Sequence, residues 1–362
     1  MKKVLIVLSL IVIVGAAGWF LWRYFSGNNN TSTTSTEVAK TVRKNKPFVW
    51  GVTTRAFALV PNFQPKVFSE QIYKAKKLNL DYVRVTWEPG GVLNGKEDPL
   101  AVNNAIINEI LDTDMRPYIM INQKGDMTRS ADPYTDGYNL AYSIAKEEVG
   151  RVDYYQLENE ITSWSLKGAE FSGDKIDHYN LAKAEKICQW LKGASAGVKA
   201  GDPAAKTVIS GQWTQYAFLQ IMAEKQVMYD IIGWDWFSDM GQMKDNKLAD
   251  GTNILDRLNS FNKPVMLVEV GQRPDKDGTE FKMNEDKQAQ FIGDMAEWAY
   301  NSGSIKGFFA FELTDLPNHA KGGYTDRYGL IQADDGPNGV GQMVANRKAY
   351  SVFQTIIAKY SK

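Results

Sequence analysis

The chain has 362 residues, room for one large α/β barrel behind a short leader. Its 42 lysines and arginines equal its 42 aspartates and glutamates, so no excess positive charge favours a polyanion and nucleic acid is excluded as an expected partner. The single cysteine, Cys188, permits no internal disulfide, and neither it nor the two histidines, His178 and His319, forms a ligand motif, so no metal and no organic cofactor is expected.

Residues 4–22 carry no charged side chain, with Lys2 and Lys3 before them and Arg23 after. A helix of about 20 apolar residues crosses a bilayer core. Residues 1–23 therefore read as a transmembrane anchor, or as a signal segment cut near Gly15-Ala16-Ala17. The amino-terminal lysines favour a cytoplasmic amino end. Either reading exports the rest of the chain: it is expected outside the cytoplasmic membrane, anchored by this helix or secreted. An exported chain without disulfides fits a bacterial envelope. Residues 24–45 form a Ser/Thr/Asn-rich linker, too polar to build a core.

From residue 46 the pattern becomes short apolar runs alternating with longer amphipathic stretches. The strand-like runs are Phe48 to Thr53, Tyr82 to Thr86, Pro117 to Ile121, Tyr154 to Glu158, Thr207 to Ser210, Ile231 to Phe237, Pro264 to Glu269 and Gly307 to Leu313. The helical stretches between and after them are Pro65 to Leu78, Asn103 to Leu111, Tyr138 to Glu147, Ile176 to Val198, Ala217 to Lys225, Ile254 to Phe261, Glu285 to Asn301 and Arg347 to Lys359. Strict strand–helix alternation argues for parallel pairing with right-handed crossovers. Residues 46–362 thus predict a (β/α)8 TIM barrel. The rival, an open doubly wound sheet, lacks a glycine-rich loop after its first strand.

Two of these runs lead into carboxylates. Glu160 closes the fourth strand and Glu269 the seventh, three βα units apart. In a closed barrel those strand ends face each other across the carboxyl-terminal mouth, where TIM-barrel sites lie. Opposed carboxyl groups suit glycosidic cleavage, one holding a proton for the leaving oxygen, the other staying ionised to meet the anomeric carbon. Arg84 lies inside the apolar second strand and needs a buried anionic partner, for which Glu269 is the candidate. Regular alternation would point Glu158 to the same side as Glu160, making it a competitor for the acid role. Glu88, Asp235, Glu312 and Asp315 also lie near strand ends as candidate hydroxyl binders.

Trp87, Trp164, Trp213 and Trp236 fall at or just after strand ends, where indoles can stack on the C–H face of a sugar or simply pack locally. The acidic turns at residues 132–137, 275–278 and 334–336 lack calcium-loop spacing and read as ordinary turns.

In these features residues 46–362 resemble the clan A retaining glycoside hydrolases, the superfamily of cellulases, β-mannanases and β-xylosidases. Asn159-Glu160 is similar to the clan's Asn-Glu pair at the end of strand four. Lys263-Pro264-Val265-Met266-Leu267-Val268-Glu269-Val270-Gly271 resembles its strand-seven segment, and Arg84 its strand-two arginine. Gly201-Asp202-Pro203, Tyr328-Gly329-Leu330 and Arg347-Lys348-Ala349-Tyr350 resemble later landmarks. The resemblance implies Glu160 as acid/base, Glu269 as nucleophile and Asn159 as a sugar-hydroxyl ligand. The chain departs from the clan twice. Asp235-Trp236-Phe237 replaces the usual His-x-Tyr of strand six, and Phe311 stands where strand eight usually carries a tryptophan under the sugar. The expected activity is hydrolysis of a β-linked oligo- or polysaccharide with retention. The alternatives are a non-catalytic carbohydrate-binding barrel and an envelope-glycan transglycosylase.

Overall fold

Eight parallel strands hydrogen-bond in sequential order and close on themselves as a barrel. They are β1 (Val49–Thr53), β2 (Tyr82–Thr86), β3 (Arg116–Ile121), β4 (Tyr154–Leu157), β5 (Lys206–Gln212), β6 (Ile231–Phe237), β7 (Val265–Gly271) and β8 (Ile305–Ala310). Pairing of Val52 with Ala310 and Val83 closes the ring between β8, β1 and β2. This is a computed structural model, and it describes residues 46–361 apart from 94, 124, 278–279 and 318–325. The expected anchor at 1–23, the linker at 24–45 and His319 lie outside the described residues. Among the described residues no helix is long and apolar enough to cross a membrane.

The eight main helices are α1 (Pro65–Lys77), α2 (Pro99–Leu111), α3 (Pro133–Glu147), α4 (Leu181–Gly201), α5 (Ala217–Glu224), α6 (Ile254–Asn259), α7 (Glu285–Asn301) and α8 (Lys348–Tyr360). Local chemistry sets their starts. Pro65, Pro99 and Pro133 each occupy a first helical position, where a missing N–H is harmless. Side chains of Asp98, Asp132, Asn180, Asn253 and Asn284 accept first-turn N–H groups. These caps correct several expected boundaries. The acidic stretch after Asp132 is the start of α3 rather than a free turn. Residues 176–198 are not one helix: a 3-10 turn at Ile176–His178 precedes α4, which Asn180 caps.

Every residue of β6 and β7 is buried, as befits parallel strands covered on both faces. Val49, Tyr82, Tyr118, Tyr154, Val208, Ile231, Met266 and Phe309 pack together. Each comes from a different barrel strand, so this cluster fills the interior. The larger cluster, with Phe68, Ile106, Trp190, Phe218, Ile292 and Phe353, lies between strands and helices. Among the helices, α3 and α4 approach so closely that a Cβ on Gly193 would stand 1.9 Å from the Tyr134 carbonyl oxygen. Gly197 and Gly201, each one turn further along α4, make the same kind of approach.

Candidate active site

The strands deliver their last residues to one mouth, where a cavity of about 460 Å³ opens. β1 and its following loop supply Thr53, Thr54 and Arg55, and β2 supplies Arg84 and Thr86. Asn159 and Glu160 come from beyond β4, Gln212 from β5 and Phe237 from β6. Glu269 and Arg273 follow from β7 and its loop, then Phe311 and Tyr328.

The route to Glu160 is not the straight strand end expected. β4 stops at Leu157, and Glu158 and Glu160 both adopt positive φ, 67° and 45°. This left-handed corner turns the two glutamates apart. Glu158 is buried away from the cavity and accepts the Gln123 backbone N–H. Its expected alignment with Glu160 therefore fails, because strand alternation has already ended. The Glu160 carboxylate accepts Gln212 Nε2 at 2.9 Å, while its own N–H donates to Ser210 Oγ at 3.1 Å.

Glu269 keeps its strand position in β7. Arg84 Nη1 lies 2.7 Å from its Oε1, the anionic partner that a cation in an apolar strand requires. Arg84 is 2% exposed. Its remaining nitrogens are also committed: Nε donates to Gln156 Oε1 at 3.0 Å and Nη2 to Asn159 Oδ1 at 2.7 Å. One guanidinium thus ties together β2, β4 and β7.

Oxygens of Glu160, Asp235 and Glu269 lie within 4.8 Å of one another. A double displacement at one carbon uses carboxyl groups about 5–5.5 Å apart, whereas a water between them needs about 6.5–9.5 Å. The pair meets the shorter requirement. Burial, and then the Glu269 charge, push Glu160 up to about 7 against the pull of Arg273 and Arg84. The two glutamates therefore differ in environment, one inclined to keep its proton and one ion-paired. Three close carboxylates could also hold a hard cation. Here the Arg84 guanidinium already supplies positive charge to the cluster.

Asp235 does not line the cavity. It lies beneath, fully buried and paired in register with Glu269. Its Oδ2 accepts from Ser210 Oγ at 3.2 Å, and its Oδ1 has no hydrogen-bond partner among the described residues. Burial, then Glu269 and Glu160, hold its carboxyl well above the usual range.

The aromatic candidates divide. Trp87 and Trp236 are buried in the core, and Trp236 Nε1 donates to the Gly241 carbonyl at 2.7 Å. The structure assigns these two to packing and does not bring them into the cavity wall. Trp164 and Trp213 are 38% and 39% exposed. Trp164 Nε1 donates to the Asn159 carbonyl at 3.1 Å and Trp213 follows Gln212, and neither lines the cavity. Phe311 lines the cavity and meets Phe237 and Tyr328 edge-on, at 5.7 and 5.3 Å between centroids. Its peptide bond to Glu312 is cis. Asp315 does not line the cavity; its two oxygens accept from Arg347 at 2.8 and 2.6 Å. Glu312 is buried and pairs with Arg55 Nε at 3.0 Å, and Glu88 lies outside the cavity wall.

Ser210, Gln212, Arg55 and Arg273 were not singled out from the sequence. Gln212 lies just past the expected end of its strand, two residues after Ser210 on the same face, and that period of two is the signal for it. The two arginines sit in loops, where no periodicity marks them.

The sequence matches no family profile and no curated protein. Among solved structures, the family 1 β-glucosidase from Thermotoga maritima superposes with a TM-score of 0.63 at 14% identity, over 88% of this chain and 98% of that one. The same enzyme with deoxynojirimycin gives 0.63 at 13%, over 87% and 98%, and with glucoimidazole 0.63 at 14%, over 88% and 98%. The chain shares the barrel fold of the family 1 β-glucosidases, the fold that its strand order and its resemblance to clan A both lead one to expect.

Proposed function

We propose that the protein hydrolyses β-glycosidic bonds with retention, Glu160 acting as acid/base and Glu269 as nucleophile. The observation that carries this reading is the placing of two unlike carboxyl groups within 4.8 Å at one cavity. Glu160, raised to about 7, holds the proton that the leaving oxygen needs. Arg84 holds the Glu269 carboxylate in place through a 2.7 Å ion pair. Glu269 attacks the anomeric carbon as Glu160 protonates the departing oxygen, giving a glycosyl-enzyme ester. Glu160, now ionised, takes a proton from water, whose oxygen displaces Glu269.

Asn159 Oδ1 accepts from Arg84 and Gln156, so its NH₂ end is the one offered to the hydroxyl beside the reacting carbon. Trp164 and Trp213 provide exposed faces for the leaving-group side of a longer glycan. The uncharged segment at residues 4–22 supports an activity outside the cytoplasmic membrane of a bacterium, tethered or secreted.

Trapping with 2-fluoro glycosides and mapping the labelled peptide tests the assignment. A label on Glu269, with retained configuration in the product by proton NMR, is expected. A label elsewhere overturns the roles. Saturable glycan binding with no turnover replaces the hydrolase reading with that of a carbohydrate-binding barrel.

A further inference from the structure

We infer that the sugar admitted to this cavity carries a negative charge, a carboxylate or a sulfate ester, bound by Arg273 and Arg55. The inference rests on the glycosidase reading of the site and adds its substrate class.

The cavity wall holds three arginines, Arg55, Arg84 and Arg273, against two glutamates. Arg84 is committed to Glu269 and Asn159. Neutral sugar hydroxyls already meet amides and threonines in the wall, and guanidinium donors bind an anion more strongly than a hydroxyl. An anionic substituent uses both, because a planar guanidinium matches a carboxylate or sulfate through paired N–H donors.

The placing of the two arginines supports this. Arg273 follows Glu269 by four residues, beyond the end of β7. Its guanidinium lies 4.0 Å from the Phe237 ring centroid. Nε donates to Asp239 Oδ1 at 3.0 Å and Nη1 to the Tyr328 hydroxyl. These contacts fix its plane at the wall. Arg55 lies over Phe311 at 5.6 Å. Its partner Glu312 is pushed up to about 8 by burial, which weakens its hold on the Arg55 charge at neutral pH. Phe237, Phe311 and Tyr328 form one aromatic cluster with a guanidinium against each flank. This wall therefore presents cations beside its aromatic faces. A purely structural Arg273, bracing Asp239 and Tyr328, would leave no mark on the choice between charged and neutral sugars.

Initial rates are compared for 4-nitrophenyl β-glucuronide, β-galacturonide and 6-sulfo-β-glucoside against the neutral β-glucoside, β-galactoside and β-xyloside. At least one anionic glycoside is expected to exceed its neutral parent in kcat/KM by about 10- to 100-fold, the range for charged hydrogen bonds. Carboxylate and sulfate arms separate the two chemistries. Arg273→Gln is expected to reduce that ratio about tenfold or more through KM, with partial recovery in Arg273→Lys. Equal or greater rates on neutral parents overturn the inference and leave the hydrolase reading intact. If no glycoside turns over, the hydrolase reading falls instead, and calorimetry of free glucuronic and galacturonic acids against glucose and galactose decides. Tighter binding of an acid, lost in Arg273→Gln, supports the inference; equal binding or none overturns it.

Discussion

Arg84 Nη1 stands 2.7 Å from Glu269 Oε1, with both side chains almost wholly enclosed. Removing one partner of such a pair strands the other, at a cost of about 3–5 kcal/mol in stability. Arg84→Met should lower kcat/KM by about 10²–10³-fold, because Glu269 loses the hydrogen-bonded cation that positions it. Arg84→Lys should recover only part, since one ammonium cannot also reach Gln156 and Asn159. Steady-state kinetics with circular dichroism of the folded fraction checks both.

Activity should fall as pH rises through about 7, where Glu160 loses the proton it donates. Glu160→Gln should remove that limb. On aryl glycosides with good leaving groups, added azide should then restore turnover as the β-glycosyl azide. A limb unchanged in Glu160→Gln would exclude Glu160 as the acid.

Stability should show its own pH dependence. Glu148, Glu158 and Glu160 are raised to about 7 and Glu312 to about 8, each first by burial. An acid with a raised folded pKa binds its proton more tightly in the native state. Its contribution is full below the unfolded value and is lost as pH climbs through the folded one. The melting temperature should therefore be higher at pH 5 than at pH 8.5. Glu312→Gln should flatten the upper part of that slope.

Ser210 links Glu160 to the buried third carboxyl, accepting from the Glu160 N–H and donating to Asp235. Ser210→Ala should cost about 1–3 kcal/mol of stability by leaving buried groups unpaired. It should lower kcat more than it raises KM, because the corner carrying Glu160 loses its anchor. An effect confined to KM would contradict this.

Gly193→Val should destabilise the fold by about 3 kcal/mol or more, an overpacking cost. The added carbon has no space beside the Tyr134 carbonyl, since both neighbours there are helix backbone. Chemical denaturation measures the loss, and an exposed control such as Lys183→Ala should stay near wild type.

The barrel was legible because its eight apolar runs and eight amphipathic stretches keep two distinct periods. The Arg84–Glu269 pair was legible for an energetic reason, since a cation in an apolar strand implies its counter-charge. The corner at 158–160 was not. Positive φ there falls on glutamates, without the glycine or asparagine that would announce it. Trp87 and Trp236 show the same boundary from the other side: a tryptophan at a strand end reads identically whether it faces sugar or core. Asp235 was placed near the mouth from its strand position, but nothing local indicated that it would lie beneath the pair with one oxygen unmatched.

Glu269 is locked into the hydrogen-bonded ladder of the barrel, whereas Glu160 hangs from a short bend beyond the last rung of β4. Of the two carboxyl groups, only the second can be re-aimed without disturbing the frame. On the proposed mechanism, residues 158–163 therefore set the reach of the proton donor. A longer or shorter bend would change how far that donor stands from the departing group, while the distance from Glu269 to the reacting carbon would stay as the ladder sets it.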